Sequence, residues 1–123
     1  MSKAALLIRD FGPQKVEAIA ELRKELEVSL SDINRGVLTG APIVERKIFD
    51  RASPEFPGKL LRLMSRLEAL NVAFAVYELL DGQTFALPNK YYEITLARLK
   101  NMIDTREQSL EQQRTLARLQ DGV

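Results

Sequence analysis

A run of five apolar residues near the start of the chain, residues 4–8 (Ala-Ala-Leu-Leu-Ile), most constrains the fold. It ends at the charged pair Arg9-Asp10, which is followed by the turn-forming pair Gly12-Pro13. Five residues are too few for an amphipathic helix, but they are a typical length for a strand that other elements cover. We therefore expect a buried strand here, within a sheet that has helices packed against it.

Three segments with apolar residues at helical spacing follow this strand. Residues 13–26 begin with a proline, which is favourable as the first residue of a helix. Residues 29–38 begin with a serine, which can cap a helix, and a glycine follows them at position 40. Residues 54–71 follow a serine, begin with a proline and end at an asparagine. Each segment is predicted to be an amphipathic helix that packs on the sheet.

Two further segments have the composition of strands. Residues 43–49 and 72–79 are rich in β-branched and aromatic residues. The charged centre of residues 43–49 predicts a strand that lies at the edge of the sheet or has a solvent-facing surface. The dipeptide Asp81-Gly82 is a strong hairpin signal, so we expect a short returning strand at residues 84–87.

The resulting order, strand-helix-helix-strand-helix-strand, predicts an α+β fold. In this fold a small antiparallel sheet is covered by helices on one face, with a C-terminal hairpin strand and a long helix added. We expect residues 1–88 to form the domain and residues 89–123 to form the helix, whose first half packs on the domain. The predicted core is a single one, formed by Leu7, Val16, Ile19, Leu26, Ile33, Leu63, Leu67, Phe74 and Val76.

The terminal helix, predicted from Pro88 to Gln120, has little apolar surface in its second half. The apolar residues Leu96, Ile103, Leu110 and Ala117 recur every seven positions, and the last three are the candidate self-association residues. A polar helix with such a thin stripe either frays or pairs with another chain. Self-association into a homodimer through this stripe therefore remains one of two open alternatives.

Composition excludes several kinds of chemistry. The chain has no cysteine and no histidine, which removes disulfides, thiolate metal sites and the commonest general base near neutral pH. Carboxylates such as Glu78 and Asp81 are scattered, and no pattern places a pair of them in one cleft. We expect a protein that is not an enzyme and binds no cofactor or metal.

Cellular location follows from the distribution of apolar residues. The apolar run at residues 4–8 is too short for a signal peptide, and no run approaches the roughly 18 residues of a membrane span. We therefore expect a soluble, cytoplasmic protein that does not bind membranes.

Basic side chains on the predicted helices are candidates for partner contact. Lys15 and Arg23, eight residues apart, are expected to project from nearly the same face of the first helix. A second stripe on the third helix consists of Lys59, Arg62 and Arg66. Both stripes are also typical of ordinary solvated helix faces. The net charge of +1 and the lack of interleaved aromatic residues favour a protein partner over nucleic acid.

Short motifs resemble the C-terminal domain of the bacterial ribosomal stalk protein. Residues 12–19 (Gly-Pro-Gln-Lys-Val-Glu-Ala-Ile), followed by Arg23, are similar to its Gly-x-x-Lys-Val-x-x-Ile…Arg stretch. Residues 30–33 (Leu-Ser-Asp-Ile) and 40–42 (Gly-Ala-Pro) resemble its Leu-Lys-Glu-Ala…Ala-Pro segment. The resemblance covers residues 4–78 and includes the order of the elements.

The resemblance implies a docking site for a partner protein on the first two helices. The positions it indicates are Lys15, Ala18, Arg23, Ser31 and Asn34, with serine and asparagine where the stalk domain has lysines. The Clp protease adaptor shares this fold, and residues 10–13 (Asp-Phe-Gly-Pro) are similar to its Asp-Tyr-Thr-Pro turn. Its substrate groove uses a histidine, which this chain lacks.

The expected function is therefore a non-catalytic protein-binding module of an adaptor, inhibitor or immunity type. The alternative is a nucleic-acid-associated regulator that uses Lys59, Arg62 and Arg66.

Overall fold

The computed structural model describes residues 2–80, 82–83, 85–86 and 91–121, and the side chains through residue 118. It contains four strands and four α-helices in these ranges: β1 (Lys3–Asp10), α1 (Lys15–Leu26), α2 (Leu30–Thr39), β2 (Val44–Lys47), α3 (Phe56–Ala69), β3 (Ala73–Leu79), β4 (Tyr92–Glu93) and α4 (Leu96–Asp121). The sheet is antiparallel throughout, with the strand order β2-β1-β3-β4. The predicted α+β fold and the order of its elements through β3 are confirmed.

Strand β1 is the centre of this sheet. It pairs with β2 on one side and β3 on the other, so that Leu6 lies opposite both Val44 and Val76. All of residues 4–8 are buried, as the apolar run predicts. Strand β2 is at the edge of the sheet, which confirms the interpretation of its charged centre.

The sheet has a buried cluster on each face, where the sequence predicted one core. Leu6 and Ile8 of β1 belong to the main core, together with Leu22 of α1 and Leu67 of α3. Leu7 belongs to a second cluster on the opposite face, because successive residues of a strand point to opposite sides. The other members of that cluster are Ala5, Leu79 and the partly buried Tyr77, Phe85 and Tyr91.

Val16 is also placed wrongly by the sequence analysis, since 78% of its surface is exposed. The buried face of α1 consists of Ala18, Leu22 and Leu26, which are four residues apart. Val16 is two residues before Ala18, and at about 100° per residue it lies on nearly the opposite side of the helix. The prediction chose a neighbouring stripe that has equally good helical spacing.

The helix ends confirm most of the predicted capping residues. The hydroxyl of Ser29 accepts a hydrogen bond of 3.1 Å from the backbone N–H of Asp32, which satisfies one free donor at the start of α2. Gly40 and Asn71 follow α2 and α3 and have positive φ angles of 71° and 58°. Helix α3 begins at Phe56, two residues later than predicted.

The region after β3 differs from the prediction. The strand that returns along β3 is Tyr92–Glu93, and Phe85 and Ala86 lie in no strand. Asp81, Thr84 and residues 87–90, which carry the rest of the predicted hairpin and the predicted start of the last helix, lie outside the described residues.

Helix α4 therefore starts at Leu96 instead of Pro88. Thr95 caps it, with its hydroxyl accepting a 3.1 Å hydrogen bond from the backbone N–H of Arg98. Leu99 is fully buried, and Met102 and Ile103 pack against the main core. Every side chain from Asp104 to Arg118 is exposed, so no described side chain of α4 after its first two turns is buried against the domain. We call residues 104–121 the projecting part of α4. None of the described helices combines the length and the apolar composition needed to cross a membrane.

Two glycines of contrasting environment provide a test of this backbone. Gly12 has a φ of +69°, and an added Cβ would lie 2.6 Å from the carbonyl oxygen of Asn71. Gly58 lies in the first turn of α3, where an added Cβ would meet only the Arg62 guanidinium at 3.8 Å. Urea unfolding should show that Gly12→Ala costs about 2–5 kcal/mol. Gly58→Ala should instead stabilise the protein by about 0.5–1 kcal/mol. Equal effects at the two positions would contradict the described backbone.

Truncation provides a test of the projecting part of α4. Removing residues 106–123 takes away exposed side chains, so the free energy of unfolding should change by no more than about 1 kcal/mol. Removing residues 96–123 also takes away Leu99, Met102 and Ile103 and should cost about 3 kcal/mol or more. Loss of the folded state in the shorter truncation would show that the projecting part holds the domain together.

Candidate protein-interaction surface

Helix α1 presents an uncovered surface on the side that faces away from its buried residues. Val16, Ala20 and Arg23 follow one another at spacings of four and three residues and are all exposed. The opposite flank of α1 carries Glu21 and Glu25, which form ion pairs with α3. The flank with Val16 therefore faces away from α3.

Helix α2 has a comparable exposed ridge. Its buried residues are Ile33 and Gly36. Leu30 and Leu38, with 45% and 86% of their surfaces exposed, are separated by eight residues, and Asn34 lies midway between them. Ser31 is exposed and lies seven residues before Leu38, so it shares that face of the helix.

These two ridges belong to neighbouring helices that both contribute to the main core and contact each other. We call their outer surface the α1–α2 face and define it by Val16, Ala20, Arg23, Leu30, Ser31, Asn34 and Leu38. Arg23, Ser31 and Asn34, three of the five positions indicated by the stalk-domain resemblance, are exposed there. The exposed side chains of these two helices include three large apolar ones alongside polar ones, a composition typical of protein-binding surfaces.

Lys15 lies at the border of the α1–α2 face. Its ammonium group is 5.5 Å from the centre of the Phe11 ring, a cation–π contact that holds it at the start of α1. At about 100° per residue, Lys15 and Arg23 are about 80° apart around the helix, so they do not share one face as closely as predicted. Lys15 is nevertheless exposed and directly precedes Val16.

Ala18 cannot contact a partner, which corrects its assignment as a binding residue. It is completely buried in the main core, beneath α1. Sequence reasoning instead missed Val16 and Leu38, because an apolar residue at helical spacing is ordinarily assigned to the core. The signal that was available for Val16 is its spacing of two residues from Ala18, since both cannot face the sheet.

The basic stripe of α3 contacts α1. Arg62 lies 3.4 Å from a carboxylate oxygen of Glu25, and Arg66 lies 3.5 Å from one of Glu21. Lys59 is half-buried. The two ion pairs partly neutralise the stripe and join α3 to α1, each contributing at most about 1 kcal/mol at such exposed sites. This arrangement reduces the positive potential that a nucleic-acid site would need.

The predicted self-association residues differ in environment. Ile103 packs against the main core, whereas Leu110 and Ala117 lie on the projecting part of α4. Leu110 lines a cleft of about 860 Å³ between α4 and the segment that joins β2 to α3. The opposite wall includes Phe49, whose ring centre lies 5.5 Å from the guanidinium of Arg106.

Carboxylates contribute to structural contacts in the described region. Glu78 accepts a hydrogen bond of 3.0 Å from Arg98, which ties β3 to the start of α4. Asp81, its predicted neighbour, lies outside the described residues. Within the described ranges, no group of three or more acidic side chains is arranged to hold a metal ion.

Comparison with known protein families, with curated proteins and with solved structures found no match for this chain. The resemblance to the ribosomal stalk domain and to the Clp adaptor therefore stays a prediction that rests on the short motifs alone.

Proposed function

We propose that this protein is a non-catalytic binding module that docks a partner protein on its α1–α2 face. The observation that carries the proposal is the exposure of Val16, Leu30 and Leu38 on two neighbouring helices. Scattered exposed apolar residues are normal on a protein surface, but a group of them bordered by polar residues is typical of an interaction site.

The apolar side chains would supply most of the binding energy. Val16 and Leu38 are 78% and 86% exposed, so a partner that covers them removes nearly their whole apolar surface from water. Covering a side chain of this size contributes about 1.5–3 kcal/mol. Neither side chain is needed for the core, because the buried positions of α1 and α2 are filled by other residues.

The polar residues of the face would select the partner. Arg23 and Lys15 place positive charge beside Val16, which favours a partner with acidic groups around an apolar centre. Ser31 and Asn34 lie between Leu30 and Leu38 and offer hydrogen-bonding groups. An acidic, amphipathic segment of another protein has the complementary chemistry.

Point substitutions on the face provide the test of this function. The partner is first identified among the proteins that are recovered with a tagged copy from its native cell. Its affinity for the purified protein is then measured by calorimetry. Val16→Asp and Leu38→Asp should each weaken binding by about 10- to 100-fold, while the unfolding midpoint stays within a few degrees of the original. Lys15→Glu combined with Arg23→Glu should weaken binding more at low than at high ionic strength.

Matched controls separate this face from the rest of the surface. Leu80→Asp makes the same chemical change at a side chain that is 59% exposed outside the α1–α2 face. Lys47→Glu combined with Lys100→Glu makes the same change of charge at two exposed positions outside α1 and α2. Both controls should bind the partner normally. Unchanged binding by all the face variants would show that the partner docks elsewhere.

A further inference from the structure

The projecting part of α4 touches the domain near its start, where Arg106 lies over the Phe49 ring, but it buries no described side chain there. Residues 104–121 extend roughly 27 Å at 1.5 Å per residue, and none of their described side chains is buried. Most of the stability of a helix in a protein comes from packing of an apolar face and not from helix propensity. This part of the chain is therefore a candidate for a contact that is made only with another molecule.

On one flank of the projecting part of α4, acidic residues come first and basic residues follow. Like charges on neighbouring turns repel each other and destabilise an isolated α4. Glu107 and Glu111 are four residues apart, as are Arg114 and Arg118, so each pair places like charges on neighbouring turns. Glu111 and Arg114 provide a favourable contact only where the acidic half meets the basic half. The acidic half begins at Asp104, and all five residues lie on one flank of the helix.

An antiparallel pair of α4 helices resolves this repulsion. With the two-fold axis near Glu111, Glu107 of one copy lies beside Arg114 of the other, and Asp104 lies beside Arg118. Each contact occurs twice, because a two-fold interface repeats every pair. In a parallel pair the acidic halves would lie side by side, and so would the basic halves. On this flank, the charges of α4 are therefore complementary to those of a second copy in the antiparallel orientation and not in the parallel one.

An antiparallel pair would bury one side of α4, and this side borders the cleft between α4 and the domain. Ile103, Arg106, Leu110 and Gln113 recur at spacings of three and four residues and all line this cleft of about 860 Å³. Pro54, Pro57 and Phe49 contribute apolar surface to its other wall. Ala117 continues the same side of the helix and is small. In the antiparallel pair, the half of the second copy that contains Ala117 lies along the cleft.

We propose that two copies of this chain associate through antiparallel α4 helices, with the C-terminal half of each α4 seated in the cleft of the other copy. The interface is distinct from the α1–α2 face and leaves it free for a partner. The surface buried between the two α4 helices is partly polar, because it includes Arg106 and Gln113. We therefore expect a weak dimer, with a dissociation constant on the order of 10 μM.

Sedimentation of the full chain over a concentration series provides the first test. The wild-type protein should shift from monomer to dimer as its concentration rises. Glu107→Arg combined with Glu111→Arg should weaken the dimer by about tenfold or more, and so should Arg114→Glu combined with Arg118→Glu. An equimolar mixture of the two variants should form a dimer at least as tight as that of the wild type. The control Glu17→Arg combined with Glu68→Arg changes the net charge by the same amount as the Glu107→Arg and Glu111→Arg pair, but on other exposed surfaces. This control should dimerise normally.

Orientation is tested by single cysteines, since the chain has none of its own. Leu110→Cys lies next to the proposed two-fold axis and should form a disulfide-linked dimer under mild oxidation. The two copies of Ala117→Cys would lie roughly 18 Å apart along the helix pair and should not cross-link. A parallel pair would cross-link at both positions.

The cleft is tested separately from the helix. Gly58 lines the cleft and has room for a side chain, so Gly58→Glu should fill the cleft and weaken the dimer by about tenfold, whereas Gly58→Ala should not. Three results would each overturn the proposal. The Gly58→Glu variant could dimerise normally, the wild-type protein could remain a monomer at 1 mM, or cysteines at positions 117 and 110 could cross-link equally.

Discussion

The rest of the structure depends on the pairing of β1 with both of its neighbours. Because β1 lies between β2 and β3, its backbone hydrogen bonds are made on both edges, and residues 4–8 are buried on both faces. A strand with no wet face needs apolar residues at every position, and the run at residues 4–8 provides them. The helices then cover one face, while Tyr77, Phe85 and Tyr91 pack over the buried residues of the other.

This arrangement determines which helix surfaces stay uncovered. Helix α1 contacts both α2 and α3, and α3 in turn contacts α4. The ion pairs between α1 and α3 occupy the space between these two helices. The exposed apolar side chains of α1 and α2 are therefore separated from the projecting part of α4 by α3. The two proposed interactions, with a partner protein and with a second copy, use different surfaces and can occur together.

The sequence was most informative where a single local signal determines the structure. The buried strand at residues 4–8 and the caps at Ser29, Gly40 and Asn71 depend on neighbouring residues alone. The start of α4 could not be predicted in this way, because Tyr92, Glu93 and Ile94 are kept out of the helix by backbone pairing with β3, a contact that the local sequence does not show. Val16 was misplaced because two overlapping stripes on α1 have helical spacing, and only tertiary packing selects one. The motif resemblance indicated the helices of the candidate site but not its apolar residues.

Hydrogen–deuterium exchange of the full chain at low and high protein concentration tests most directly whether the two surfaces have separate roles. At low concentration the amides of α4 beyond Asp104 should exchange rapidly, because none of the described side chains in this part of the helix is buried. At high concentration exchange should slow in this part of α4 and in residues 49–58, with no change in α1 and α2. Slower exchange across α1 and α2 at high concentration would contradict the account, because it would mean that the exposed apolar face is buried by self-association.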